Sequence, residues 1–175
     1  MEKIVIVING VGGVGKDTIC EIISMHYSAK KISAIDPIKQ IAAYGGWEYS
    51  DKSFKGRKLL SDIKLAFIEY NDFPLTHLLH EYSAFLKDPN EILLVHIREP
   101  DEIEKFISNI SSTCITLLIT SDRLDSIAFG NESDDNVTNF NYDYTYRNIL
   151  PLAKLEDNFM LFFTTIMAEM TESSI

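Results

Sequence analysis

The sequence predicts an α/β domain built on a mainly parallel sheet with helices on both faces. Three observations predict it. The run Ile4-Val-Ile-Val-Ile8 is continuously β-branched, without the alternation of a half-solvated strand, so it fits a strand buried on both sides. Similar apolar runs exchange along the chain with segments of helical periodicity, the pattern of parallel crossover units. Between the first run and the first helix lies a glycine-rich turn.

Taken in order, the first strand spans Ile4 to Ile8. A helix from about Lys16 to Tyr27 follows, with Ile19, Ile22 and Ile23 on one side. Lys31 to Ile35 predicts a short second strand. Asp36-Pro37 opens a helix towards Tyr44, with Asp36 as N-cap and Pro37 at the first helical position, and Gly45-Gly46 ends it. Two helices then run from Lys55 to Tyr70 and from Phe73 to Leu86, separated at Asn71-Asp72. After the turn Asp88-Pro89-Asn90, Ile92 to Ile97 is a strong strand, Pro100 to Ser108 a helix, and Cys114 to Ile119 a further strand. Thr120 to Asn139 is polar and reads as a long loop, a feature that in a compact domain is usually functional or disordered. Phe140 to Tyr146 predicts the last strand, and Asn158 to Met170 the closing helix.

At 175 residues, with 46% hydrophobic and 24% charged, the chain has ordinary globular composition and is most economically one domain over residues 1–175. No window is apolar for long enough to span a membrane, and the start lacks a signal-peptide pattern. Cys20 and Cys114 make neither a disulfide framework nor a metal-ligand pair. A cytoplasmic protein is expected. The formal charge of −10 argues against a nucleic-acid partner, which would call for clustered Lys and Arg. It does not argue against nucleotides. A charge about 20 Å away through water contributes roughly 0.2 kcal/mol before screening, whereas a cation about 4 Å from a phosphate contributes roughly 4 kcal/mol at an effective dielectric of about 20. The local set of cations decides.

Gly10-Val11-Gly12-Gly13-Val14-Gly15-Lys16-Asp17-Thr18 has the G-x-x-x-x-G-K spacing of a phosphate-binding loop, and it has the required strand before and helix after. Glycines let main-chain N–H groups turn inward around an anion, and the helix N-terminus adds unpaired N–H groups and a positive dipole end. Lys16 is placed to reach the β- and γ-phosphates of a nucleoside triphosphate. Ser or Thr normally follows this lysine and ligates Mg²⁺. Here the residue is Asp17, which either binds the metal directly or through water, or simply favours the first turn of the helix. Thr18 would then face the α-phosphate. The overlapping Gly10-x-Gly12-x-x-Gly15 dinucleotide pattern is the weaker reading, because Lys16 favours the phosphate loop.

A loop ending Gly15-Lys16-Asp17-Thr18 resembles the deoxynucleoside monophosphate kinases of the phage type, within the wider nucleoside monophosphate kinase group. Ala34-Ile-Asp36-Pro37-Ile-Lys39 is similar to that family's Ala-Asp-Pro-Leu-Lys segment. Val95-His96-Ile97-Arg98-Glu99-Pro100-Asp101-Glu102 resembles its Asp-x-Arg-x-Pro-x-Glu segment, and Tyr142-Asp143-Tyr144 with Asn148 resembles its late strand-plus-Asn segment. The resemblance implies a P-loop NTPase-type three-layer sandwich with a five-stranded sheet. It also implies transfer of the γ-phosphoryl group of ATP, with Mg²⁺, to a (deoxy)nucleoside monophosphate. An acceptor region over about 36–87 and a lid over about 120–139 are implied as well. This sequence departs from the pattern in having His96 where the similar kinases carry aspartate, and in having one arginine in the lid segment.

Phosphoryl transfer depends on positioning and on cations around the moving group, and arginine grips phosphate oxygens in pairs. The candidates are Arg98, at a strand end where open α/β sheets bind ligands, Arg57 for the acceptor phosphate, and Arg123 in the lid. Arg147 is a weaker candidate past the last strand. Arg98 has the alternative of a salt bridge with Glu99 or Glu102, and Arg123 that of a solvated loop charge. Asp36 and Lys39 are candidates for acceptor contacts, with a helix-cap role open for Asp36. His77-x-x-His80 has metal-pair spacing but no evident third ligand and reads as a solvated face. Trp47, Tyr44 and Tyr49 read as packing or as stacking on an acceptor base. The apolar face from Phe159 to Met167 reads as core or as a homodimer face.

Overall fold

Along the central strand, Val5 and Val7 point to one side and Ile6 and Ile8 to the other, and all four are buried. That two-sided burial is what the unbroken β-branched run demands. The computed structural model describes residues 3–121 and 136–172. Among the described residues the strands are β1 (Ile4–Asn9), β2 (Ala29–Ser33), β3 (Ile92–His96), β4 (Thr113–Thr120) and β5 (Tyr144–Arg147). The helices are α1 (Lys16–His26), α2 (Asp36–Tyr44), α3 (Phe54–Asn71), α4 (Phe73–Phe85), α5 (Pro100–Ser108) and α6 (Leu152–Glu172).

The five strands form one sheet in the order β2-β3-β1-β4-β5, with every pairing parallel. Helices cover both faces, giving the three-layer α/β sandwich. On one face Ile6, Ile8 and Leu94 pack with Ile19 and Ile23 of α1 and with Phe159, Phe163 and Ile166 of α6. On the other, Val5, Val7, Leu93 and Val95 pack with Leu78, Tyr82 and Phe85 of α4 and with Ile103 and Phe106 of α5. Burying a side chain such as Phe159 or Phe106 contributes about 2 to 3 kcal/mol, and these two layers carry most of the core.

Helix α1 leaves β1 over one face and α5 leaves β3 over the other. Because β1 and β3 are neighbours, paired Ile8 to His96, their carboxyl ends open onto a crevice, the place where open α/β sheets bind ligands. The topology therefore puts the glycine-rich loop beside the end of β3.

Several expectations shift. Strand β2 begins at Ala29 and ends at Ser33, two residues earlier than expected, because its apolar content is one buried residue, Ile32, and the polar flanks give no edge to read. Asp36 is not the N-cap of α2. Ile35 occupies that position, Asp36 already lies in the helix, and no side chain caps it. Strand β5 starts at Tyr144 rather than Phe140: Phe140 and Tyr142 pack on the second core layer from outside the sheet. Helix α6 starts at Leu152, six residues before its dense apolar stretch. Helix α3 has Ser53 as N-cap, its hydroxyl accepting from Gly56 N at 3.0 Å, and only Gly56 of its residues is buried.

No helix among the described residues is long and apolar enough to cross a membrane. Phe159 and Phe163 are core residues, while Leu161 between them is 71% exposed.

Candidate active site

Gly10 to Gly15 bridge the buried end of β1 and the first turn of α1. Gly10, Gly13 and Gly15 have φ of 146°, 87° and 96°, conformations that side-chain-bearing residues rarely adopt. At Gly10 the constraint is doubled, because a Cβ there would sit 2.4 Å from the main-chain oxygen of Ile119. Val14 is the loop's inward anchor, 2% exposed and part of the core beneath α1.

Two asparagines brace this loop. Asn9, 1% exposed at the end of β1, accepts from the Gly10 N–H at 2.8 Å through Oδ1. Its amide donates to the Arg98 carbonyl at 3.0 Å and to the Tyr142 hydroxyl at 2.7 Å. That hydroxyl in turn donates to the Val137 carbonyl at 2.8 Å. Asn148, just past β5, donates its side-chain amide to the Val14 carbonyl at 2.8 Å, while its main-chain N–H binds the Thr120 carbonyl at 2.8 Å. The loop is thus tied to the ends of β3, β4 and β5.

The Lys16 ammonium folds back over the loop, donating to the carbonyls of Gly10 and of Val11, the latter at 2.8 Å. A cation, a helix N-terminus and three left-handed glycines meet within one short segment, the combination that holds phosphate oxygens.

Asp17, on the outer side of the first turn of α1, pairs with Lys31 of β2 at 2.7 Å. The Lys31 hydrogen bond, opposed by partial burial, holds the Asp17 carboxyl below its usual range. His96, at the end of β3, sets its Nε2 3.2 Å from the Cys20 Sγ of α1. Burial, with repulsion from Lys31, brings His96 down to about 4, against the pull of Asp17; Lys16 and Arg98 lower it further. Burial pushes Cys20 up to about 12. The His96–Cys20 contact is therefore neutral in neutral solution, and it lies at the carboxyl end of β3.

The fold brings Lys16, Asp17, Arg98 and His96 together beside the loop, close enough for the other three charges to act on His96. Asp36, at the start of α2, acts on Lys31 from the other side and lies 3.7 Å from Lys39. Arg57 is exposed on the first turn of α3. Glu102, one candidate partner of Arg98, is instead paired at 2.7 Å with Lys64 of α3 in a largely buried contact. Trp47 is 9% exposed, its ring centroid 5.3 Å from that of Tyr49, and its buried indole N–H has no hydrogen-bond partner among the described residues. Tyr44 is 96% exposed. His80 carries a contact at 3.7 Å to Glu81 and is solvated. Arg123 and most of the lid segment lie outside the described residues; Val137–Asn139 forms a 3-10 turn.

Sequence reasoning did not name Lys31 or Asn9 as site residues, and it met Asn148 only as part of a similar segment. A polar residue closing an otherwise apolar buried strand, as Asn9 closes β1, was the signal available. Lys31 gave none, because its meeting with Asp17 depends on the register of β2 against β3.

The donor set near the loop fits Mg²⁺ in one respect. The metal is usually held by one or two carboxylates, with phosphate oxygens and water completing the shell, and Asp17 supplies one carboxylate and Thr18 a neighbouring hydroxyl. Among the described residues no group of three or more His, Cys, Asp and Glu gathers around a common point; phosphate oxygens and water would complete a shell around a metal held by Asp17.

No protein-family model and no curated protein sequence matches the chain. Solved structures do. A sugar kinase from Janibacter sp. HTCC2649 aligns with 94% of this chain and 95% of its own at a TM-score of 0.53 and 12% identity. TT1252 from Thermus thermophilus aligns with 96% and 97% at 0.51 and 15% identity, and a protein from Chloroflexus aurantiacus j-10-fl with 95% and 97% at 0.53 and 12%. The architecture shared with these structures is the three-layer α/β sandwich on a parallel five-stranded sheet. At such identities the likeness is one of fold, and the chemistry must be argued from the loop and its neighbours.

Proposed function

We propose that the chain is an ATP-dependent phosphotransferase whose acceptor is a (deoxy)nucleoside monophosphate. The observation that carries this reading is the Lys16 ammonium lying within the glycine-rich loop, on the carbonyls of Gly10 and Val11, at the amino end of α1. Replacing those carbonyls by phosphate oxygens needs only a change in the lysine side chain. The loop N–H groups and the α1 dipole then hold the β-phosphate, and Lys16 spans the β- and γ-phosphates.

Asp17 would hold Mg²⁺, which when bound would supply charge neutralisation at the phosphates, and Thr18 would face the α-phosphate. Transfer moves the γ-phosphoryl group in line to a phosphate oxygen of the acceptor. Lys16 would follow the charge onto the β-phosphate leaving group, and Arg98, two residues past β3, is proposed to meet the transferred group. Arg123 is proposed to close on the same group.

The acceptor is assigned to the helical region of residues 36–87. It offers Asp36 and Lys39 beside the crevice, the exposed Arg57, and a Trp47–Tyr49 pair with an unpartnered indole N–H. A small-molecule acceptor suits the net charge of −10 better than a nucleic acid, and a cytoplasmic location suits substrates of this class.

The test is ADP release measured with ATP and each nucleoside and deoxynucleoside monophosphate in turn, followed by other phosphorylated small metabolites. Turnover restricted to the second group moves the acceptor to another metabolite and removes the monophosphate assignment. A second reading is a nucleotide-sensing module without turnover. The neutral His96–Cys20 contact, standing where a second carboxylate would serve, favours it. Tight ATP binding with no transfer to any acceptor supports that reading over the first.

A further inference from the structure

The carboxylate assigned to the metal already has a cation. Lys31 reaches from β2, on the sheet face covered by α1, to place its ammonium 2.7 Å from Asp17 Oδ1. The contact holds the Asp17 carboxyl down and raises Lys31, so both stay charged through the neutral range. Its two side chains are 79% and 48% exposed, so water screens the pair and opening it costs little. Lys31 also lines an open recess of about 320 Å³ with Cys20, Glu21, Ser24 and Met25. Asp36 lies near enough to act on the same ammonium and offers a second resting partner.

A carboxylate with an ammonium on one oxygen cannot take a divalent cation on the other without placing like charges within a few ångströms. We infer that Lys31 and Mg²⁺ compete for Asp17: the ion pair must open for the carboxylate to take the metal, and Lys31 is a positioning residue that sets how strongly nucleotide and Mg²⁺ bind together. This rests on the proposed phosphotransferase reading, since Asp17 is a metal ligand only there.

The experiment is a calorimetric titration of ADP with and without saturating Mg²⁺. The ratio of the two affinities measures the coupling between nucleotide and metal, and it cancels any effect of a variant on the nucleotide alone. Lys31→Met is expected to raise that ratio by about threefold to tenfold, the range of a screened ion pair plus the lost repulsion. Lys31→Arg keeps it near the parent value. Asp17→Asn lowers it, and adding Lys31→Met to Asp17→Asn changes nothing further. An unchanged or smaller ratio in Lys31→Met, beside a clear drop in Asp17→Asn, overturns the competition while leaving the metal role of Asp17 standing. An Asp17→Asn ratio equal to the parent overturns both. If the parent protein binds no ADP under either condition, the phosphotransferase reading fails, and the inference fails with it.

Discussion

Asn148 reaches from beyond β5 to donate its side-chain amide to the Val14 carbonyl, 2.8 Å away. The bond joins the last strand to the glycine-rich loop. A Cβ on Gly15 would sit 2.6 Å from that same amide nitrogen, so the third glycine leaves the space that Asn148 occupies. Loop and brace are fitted to each other.

Removing the brace tests its role. Asn148→Ala deletes one partly buried hydrogen bond, about 1 kcal/mol of stability, and frees the loop to sample other shapes. The expected result is a small drop in melting temperature with ATP affinity lowered about fivefold to tenfold, the larger relative change. Unaltered ATP affinity, measured by calorimetry, would mean that Asn148 only supports the fold.

Gly10→Ala meets both a φ of 146° and the Ile119 carbonyl oxygen 2.4 Å from the new methyl. That oxygen belongs to the rigid sheet, so β1 or β4 must move. A loss of about 2 kcal/mol or more is expected, read as a shifted urea midpoint with an unchanged slope. A midpoint within error of the parent would show that the loop relaxes freely, contrary to its bracing by Asn9.

His96 sets a pH dependence. Its folded pKa of about 4 lies below the ordinary histidine value of 6.5, so the unfolded chain binds more protons between those values. Stability from this group is complete above about pH 6.5 and is lost as pH falls through the window towards about 4. The loss approaches about 3 kcal/mol at about 1.4 kcal/mol per unit. Glu102, whose carboxyl burial raises, acts with the opposite sign in an overlapping range. The comparison is therefore between the protein and His96→Gln: the stability difference between them should change in the protein's disfavour as pH falls from 6.5 towards 4, whatever Glu102 adds to both. Parallel curves would place the histidine in a wetter site than the structure gives it.

Arg57→Ala separates the two substrates. The acceptor role predicts an acceptor KM raised about tenfold or more with ATP KM nearly unchanged, since one charge-assisted contact contributes about 1.5 to 3 kcal/mol. Equal losses for both substrates would contradict the assignment, as would no loss for either.

Much of the fold was legible because its signals are local and redundant. The β-branched run of β1, the apolar run of β3 and the Pro100 start of α5 each announce themselves within a few residues. The edges were legible only in part. Strand β2 contains one buried residue, Ile32, and β5 is an edge strand of four residues, so periodicity had little to act on. Asp36-Pro37 has a strong capping signal, yet Ile35 takes the cap, because tertiary packing of the buried Pro37 and Ile38 fixes where the helix begins.

In the site, the loop itself was readable because its chemistry is sequential: glycines, lysine and helix start in one stretch. Lys31, Asn9, Asn148 and Cys20 meet the loop or His96 from other elements, and no local pattern marks such meetings. The Lys31–Asp17 pair requires β2 to sit at the sheet edge in one register. The Cys20–His96 contact requires α1 to cross the end of β3. Topology supplies both.

The central claim is that the loop beginning at Gly10 holds a nucleoside triphosphate against Lys16. The most direct measurement is calorimetric titration of ATP into the protein and into Lys16→Ala, with circular dichroism melts to establish that both are folded. The account predicts saturable one-to-one binding by the parent protein and at least a tenfold weaker affinity in the variant, with similar melting temperatures. Equal affinity in the two proteins, or no binding by a folded parent, would contradict it.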